Sequence, residues 1–305
     1  MVPVNPQQTR LQVPGYQVME FLGKGARSTI WQIRERNRNR FYALKRVVKH
    51  PGDDDRFFQQ AISEFQIARN FDHPGIRTCY RLRRLRRWFK TYELHLFMEL
   101  CEGSSCQAKR PTDILQAARI FLAVAHAISH MHAKGFLHGD LKPNNIIYSR
   151  DGTVKIIDFG QSCPIGTIKE RIQGTPDFIA PEQVRCRPLD QRTDVFNFGA
   201  ALYWTLTGQA IPTILPKEGN GAQLLYDLQI KPPEKLNPEI PSALARLVLD
   251  CVEPHPSHRP QTMKEVAARL DLIIHSLTRG DQQGRDGDDE LPEGVPKDLL
   301  DGIGE

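Results

Sequence analysis

The sequence predicts an α+β fold, five strands with one helix followed by a mainly helical part, and three observations lead there. Short β-patterned runs occupy roughly residues 16 to 100, interrupted once by a helical stretch. From residue 112 the apolar positions recur at helical spacing. The 305 residues, 40% hydrophobic and 25% charged, are ordinary for a globular protein with one large or two modest domains.

Residues 1–14 are rich in Pro and Gln and lack periodicity, so a flexible arm is expected. Strands follow over Tyr16 to Leu22, Ser28 to Arg34 and Phe41 to Val48. Between the first two lies Gly23-Lys24-Gly25-Ala26-Arg27-Ser28, a glycine-rich turn whose amides can approach phosphate oxygens with no Cβ in the way. Many hairpins carry such a turn, so alone it points to nothing. A helix is expected from about Asp54 to Asn70, with the acidic start that suits a helix N-terminus. His73-Pro74 ends it.

Two more strands, Cys79 to Arg87 and Thr91 to Leu100, complete the sheet. Arg77, Arg81, Arg83, Arg84, Arg86, Arg87 and Lys90 make the first of them basic, which fits either a solvated sheet edge or a face for an acidic partner. Glu102 to Lys109 is polar and without helical pattern. Thr112 to Lys134 is an amphipathic helix closed by Gly135, and it delivers the chain to His138-Gly139-Asp140-Leu141-Lys142-Pro143-Asn144-Asn145. Asp151-Gly152 is a hairpin turn that brings Asp158-Phe159-Gly160 beside Asn145.

These last two stretches carry the chemistry. Asp140 can accept a hydroxyl proton, Lys142 can meet a transferring phosphoryl group, and Asn145 with Asp158 offers hard oxygen ligands of the kind magnesium prefers. Moving a phosphoryl group asks mainly for an aligned nucleophile and neutralised charge, and this set supplies both. The six cysteines have no metal-ligand spacing and are expected as reduced thiols. No uninterrupted apolar run approaches bilayer length, the N-terminus lacks a signal-peptide pattern, and a cytoplasmic protein is expected. The net charge of +5 divides into a body of +11 and a tail from Arg279 of −6.

The chain resembles the protein kinase superfamily over about residues 16 to 277, through motifs in family order: Gly23 to Ser28, Tyr42-Ala43-Leu44-Lys45, Phe97-Met98-Glu99-Leu100-Cys101, the catalytic loop, Asp158-Phe159-Gly160, and Gly174-Thr175-Pro176-Asp177-Phe178-Ile179-Ala180-Pro181-Glu182. Lys142-Pro143 resembles the serine/threonine branch, and the compact form looks like the bacterial kinases of eukaryotic type. The resemblance implies ATP and magnesium as cofactors and protein Ser/Thr hydroxyls as acceptors. It implies a bilobal fold, with a kinase N-lobe over 15–99 built on a five-stranded antiparallel sheet plus one helix and a mainly helical C-lobe over 100–278; residues 279–305, Gly- and Asp-rich without a core pattern, are expected as an acidic disordered tail. It assigns Lys45 to the nucleotide phosphates, with Glu64 as its partner. Gly23, Lys24, Gly25 and Ser28 would cradle the nucleotide, and Ile30, Ala43 and Ile147 would sandwich the adenine. Met98 would guard the back of that pocket, and the backbone of Glu99 and Cys101 would bond the base.

Further, Thr175 would bond Asp140 and Lys142, Asp194 would anchor the catalytic loop, and Arg259 would pair with Glu182. No nucleic acid and no membrane segment are expected, and an acidic partner could dock on Arg77 to Lys90.

Three departures stand out. Ser28 replaces a third loop glycine, residues 102–109 lack the helix usual after the hinge, and Gly139 replaces the arginine usual before the catalytic aspartate. That arginine ordinarily gathers a phosphate on the activation segment, so phosphorylation at Ser162 or Thr167 has less to grip. A small-molecule kinase shares the His-Gly-Asp wording but lacks the Gly174 to Glu182 segment. A catalytically dead scaffold would have lost at least one of Lys45, Glu64, Asp140, Asn145 and Asp158.

Overall fold

A computed structural model describes residues 11–25, 27–50, 52–211 and 230–286. Strands β1 (Tyr16–Lys24), β2 (Ser28–Glu35) and β3 (Phe41–Val48) lead into helix α1 (Arg56–Ala68), and strands β4 (Cys79–Arg87) and β5 (Lys90–Glu99) follow. The five strands form one antiparallel sheet in the order β1-β2-β3-β5-β4, which leaves basic β4 on an edge. Val47 and Leu94 on one face pack against Phe58 and Ala61 of α1. On the other face Ile33, Leu44 and Phe97 pack together with Val13. The expected arm therefore ends earlier than its composition indicates: Val13 is buried and its carbonyl accepts the Tyr16 N–H at 2.9 Å. Residues 1–10 lie outside the described residues.

The α1 stripe of Phe58, Ala61, Glu64, Ile67 and Ala68 faces inward, so one helix face is apolar except for a single carboxylate. Asp54 accepts the Arg56 N–H at 2.9 Å at its start, and the Asn70 side chain donates to the Gln66 carbonyl at its end.

After the hinge, β6 (Ser104–Ser105) pairs with β8 (Ile146–Tyr148), which pairs with β9 (Val154–Ile156). The polar stretch 102–109 is thus ordered by a strand where it lacks a helix, and Cys106 beneath it is buried with its N–H donating to the Ile146 carbonyl. Helix α2 (Ile114–Ala133) starts at Asp113, which accepts the Gln116 N–H. It is followed by β7 (Phe136–Leu137), which pairs with β10 (Cys163–Pro164). The C-terminal lobe is completed by α3 (Pro181–Val184), α4 (Gln191–Thr207), α5 (Pro233–Leu236), α6 (Ser242–Cys251) and α7 (Met263–Asp286).

By length and composition alone α2 could cross a bilayer, contrary to the sequence expectation. It lies instead in the core, where Phe121 meets Phe198 of α4 at 5.3 Å between ring centroids. Helix α7 continues past the expected end of the C-lobe at residue 278 to Asp286, because a helix already nucleated on a docked face propagates at little cost. The rest of the expected tail, residues 287–305, lies outside the described residues. All six cysteines are free thiols, four of them buried.

The lobes are also joined by backbone. Ile156 donates to the Gly75 carbonyl at 2.8 Å, and Arg77 donates to the Ile156 carbonyl at 3.0 Å.

Candidate active site

The loop from His138 to Asn145 hangs from one buried carboxylate. Asp194, in the first turn of α4, accepts the His138 N–H at 2.9 Å, the Gly139 N–H at 2.8 Å and a bond from His132 Nε2 at 2.8 Å. Burial pushes its carboxyl up, but His132, His138 and the Gly139 N–H outweigh this and hold it below the ordinary range. Gly139 sits at φ +73°, where a side chain is strained, and a Cβ there would lie 3.1 Å from the Gln161 carbonyl. Its own carbonyl accepts from Gln183 Nε2 at 2.8 Å. The glycine suits a backbone bent to present Asp140.

Asp140 is nearly buried and engaged on both oxygens. Oδ1 accepts the Thr175 N–H at 2.9 Å and its hydroxyl at 2.8 Å, while Lys142 Nζ donates to Oδ2 at 2.7 Å. Lys142 also donates to Thr175 Oγ1 at 2.7 Å. Asn145 turns its Nδ2 onto the Asp140 carbonyl at 2.9 Å, which leaves the amide oxygen as its free acceptor.

The second group comes from the sheet and α1. Lys45 Nζ donates to Glu64 Oε2 at 2.7 Å and lies 3.6 Å from Asp158 Oδ1. Burial would lower the Lys45 pKa, but Glu64 and Asp158 reverse this and the ammonium is held above its usual value. Burial likewise raises Asp158, and Lys45 with Arg77 brings its carboxyl below the usual range. Asp158 adopts φ +67°, a strained geometry that Asp tolerates better than most residues. Phe159 is buried beside the rings of His138 and Phe71, and Gln60 Nε2 of α1 donates to the Gly160 carbonyl at 3.0 Å.

Arg77 is a correction to the sequence reading. It was expected on the exposed basic strand, yet it is buried, 3.7 Å from Glu64 Oε1. The bases around it hide this; its neighbours Ile76 and Cys79, both buried, are the only local sign. Gln60 and Gln183 carry no sequence signal at all, since an amide at either position reads as surface.

Between the lobes, Ile30 stands opposite Lys45 and Ala43 opposite Met98 in the sheet, and Ile147 lies opposite Lys155 across β8 and β9. Gly25 donates to the Ser28 carbonyl at 2.8 Å, and a Cβ at Gly25 would sit 2.8 Å from Ser28 Oγ, which would have to rotate away in this tight turn after Gly23 and Lys24. Ala26 of the same loop lies outside the described residues. Met98 is fully buried. Glu99 is fixed by Lys155 at 2.7 Å and by the Thr78 N–H at 3.0 Å, while the Cys101 N–H has no partner among the described residues. Gly103 was overlooked in the sequence: at φ +112° a Cβ would fall 2.2 Å from the Tyr148 carbonyl, so only glycine lets the hinge turn under β8.

The segment after Phe159 is tied down largely by backbone. Ile165 donates to the Gly135 carbonyl, Gly166 to Leu189 and Leu189 to Thr167, and Lys169 reaches the Gln161 carbonyl. Ser162, considered from sequence as a phosphate acceptor, is buried with its hydroxyl donating to the His138 carbonyl at 3.1 Å. At the far end Glu182 takes two bonds from Arg259, at 2.8 and 3.0 Å, and one from the Thr193 hydroxyl at 2.9 Å.

The donor set fits magnesium and a nucleotide phosphate. The Asp158 side chain is partly exposed, the Asn145 amide oxygen has no partner among the described residues, and Lys45 is a cation fixed between Asp158 and Glu64. Among the described residues no group of three or more His, Cys, Asp or Glu could hold a metal alone, so a magnesium ion here would need phosphate and water oxygens to complete its shell.

A family model described as the protein kinase domain matches residues 16–269. The chain is 27% identical over 270 residues to a probable serine/threonine-protein kinase of Clostridium perfringens, covering 85% of this chain and 38% of the relative. It is 26% identical to serine/threonine-protein kinase PrkC of Bacillus subtilis, covering 84% and 40%, and 31% identical to serine/threonine-protein kinase AtPK1/AtPK6 of Arabidopsis thaliana, covering 77% and 50%. The chain thus spans half or less of the length of these relatives.

Proposed function

The chain belongs to the protein kinase family, and from that premise we propose that it transfers the γ-phosphoryl group of ATP to serine or threonine hydroxyls of proteins. The observation that carries this reading is the pair of hydrogen bonds that Thr175 donates to Asp140, because it ties the segment at Gly174 to Glu182 to the proton acceptor itself. A small-molecule kinase has no use for that link.

In the proposed reaction Asp140 takes the proton from the acceptor hydroxyl as its oxygen bonds to phosphorus and the bond to the ADP oxygen breaks. Lys142, between Asp140 and Thr175, meets the charge on the moving phosphoryl oxygens. Lys45, braced by Glu64, orients the nucleotide phosphates, and the Cys101 N–H with the Glu99 carbonyl receives the adenine edge. Asn145 and Asp158 would hold magnesium, which when bound neutralises charge on the phosphate oxygens.

The test is transfer of label from ATP in the presence of magnesium to a generic basic protein, read as phosphoserine or phosphothreonine. Asp140→Asn should lower it by at least about a thousandfold while the thermal midpoint stays within a few degrees. Transfer unchanged in that variant removes Asp140 from its role, and transfer to small alcohols in place of protein removes the acceptor assignment.

The reading extends to control. With Gly139 in place of an arginine and the activation segment held by backbone bonds, activity is independent of phosphate on that segment. A Ser162→Ala, Thr167→Ala double variant should keep most of its activity; loss of more than about tenfold rejects this point alone. A cytoplasmic site of action fits the six free thiols.

A further inference from the structure

The β4–β5 hairpin ends in two large aromatic residues that the fold does not use. Trp88 is 88% exposed and Phe89 96% exposed. They form a two-residue turn, and Trp88 sits at φ +57°, in the left-handed region. Hairpin turns ordinarily place glycine or asparagine there, because a bulky side chain strains the backbone. Here local turn chemistry is overridden, and the result is an indole held out in solvent.

The bases around this tip are arranged unlike those nearer the core. Arg77 is buried beside Glu64, and Arg81 lies over the Phe97 ring and bonds the Tyr16 hydroxyl. Beyond them Arg83, Arg84, Arg86, Arg87 and Lys90 are all exposed. Among the described residues none of the five has a carboxylate within ion-pairing distance. No acid interrupts the chain from Arg83 to Lys90. A solvated edge needs charge to resist pairing, but it gains nothing from an exposed Trp-Phe pair at its end.

A tip of two exposed aromatics, flanked by cations without an ion-pair partner among the described residues, complements one surface in particular. Indole and phenyl rings partition to the boundary between lipid headgroups and acyl chains, while arginine and lysine meet anionic phosphates just outside it. A stable protein partner needs an interface of about 800 Å² on each side, whereas two aromatic side chains offer roughly 150–250 Å² apiece. We propose that the β4–β5 hairpin is a membrane-docking tip that inserts Trp88 and Phe89 shallowly into anionic phospholipid bilayers.

The test uses the full chain and sedimentation with vesicles of phosphatidylcholine, alone or mixed with phosphatidylglycerol. Binding should appear only with the anionic lipid, weaken with added salt, and shift part of the tryptophan emission to shorter wavelength. The variant is Trp88→Gly with Phe89→Ser. Glycine accepts the left-handed turn without strain, so the thermal midpoint should not fall, yet vesicle affinity should drop by about tenfold or more. Absence of binding to anionic vesicles overturns the proposal. So does binding that the double variant retains in full, which would make it charge attraction alone. Binding abolished by free glycerol phosphate points to a headgroup or phosphate pocket in place of a bilayer. Tighter binding to a single-stranded oligonucleotide, lost in the same variant, reassigns the tip to nucleic acid. None of these outcomes depends on phosphoryl transfer, so the proposal and the activity stand or fall separately.

Discussion

Glu64 is the carboxylate that joins the two cations on the sheet side of the site, and it is fully buried between them. Lys45 makes a hydrogen bond to Oε2, whereas Arg77 faces Oε1 at 3.7 Å, too far for one, and neither Oε1 nor Arg77 Nε has a hydrogen-bond partner. The two cations are therefore not equivalent. Glu64→Gln leaves Arg77 without its counter-charge and Lys45 with Asp158 alone, and should cost about 3–5 kcal/mol of stability. Arg77→Met removes one cation and an unpaired donor and should cost less, about 1–3 kcal/mol, with Lys45 still braced. Chemical unfolding of the two variants checks the ranking, and a larger loss for Arg77→Met would mean that the guanidinium is the principal support. Lys45, Asp140, Asn145 and Asp158 are singled out in the sequence by residue type and spacing, and the structure places Lys45 3.6 Å from Asp158 and Asn145 on the Asp140 carbonyl. Arg77 is not singled out, since burial of an arginine depends on a carboxylate that lies far away in sequence and meets it only through packing.

Among the elements, those governed by local rules were legible. Helix α2 has its Asp113 start and Gly135 end, α4 runs from Asp190 to a left-handed Gly208, and the β8–β9 hairpin turns at Asp151-Gly152. Elements set by partners were not. Strand β6 is two residues long and exists because β8 offers it an edge, and α7 outlasts its apolar pattern. The element with most dependent on it is α3, whose Glu182 joins α4 through Thr193 and the chain before α7 through Arg259. Arg259 also reaches the carbonyls of Arg192, Glu253 and Pro254 and lies 4.9 Å from the Phe196 ring centroid, so it replaces a small network of its own. Glu182→Ala leaves that guanidinium buried without its anion and should destabilise the helical lobe by about 3–5 kcal/mol. Urea unfolding followed by far-ultraviolet circular dichroism measures this, and a loss below about 1 kcal/mol would mean that the carbonyls alone suffice.

At the scale of the whole molecule, acid should undo both lobes for the same reason. In the sheet, Glu93 is pushed up by burial but brought down to about 2 by His95 and by Arg46, which grips it at 2.8 and 2.9 Å. In the helical lobe Asp194 is likewise held below its ordinary 3.8. Each binds fewer protons folded than unfolded, so each contributes stability that is complete above its unfolded pKa and fades as pH falls through the folded one. Stability should therefore decline from about pH 4.5 toward pH 2. A Glu93→Gln variant should lose part of that slope, and an unchanged slope would exclude Glu93 from it. The cysteines give the molecule a further property. Burial pushes the thiols of Cys79, Cys106 and Cys251 up to about 12, so at neutral pH they are shielded as well as almost wholly protonated. Cys79 and Cys106 lie in or beside the two sheets that frame the cleft, and Cys251 closes α6 against Gly199 of α4. A thiol-reactive dye thus finds silent reporters in both halves, and the order in which they light up along a denaturant series would disclose whether the lobes come apart together or one at a time.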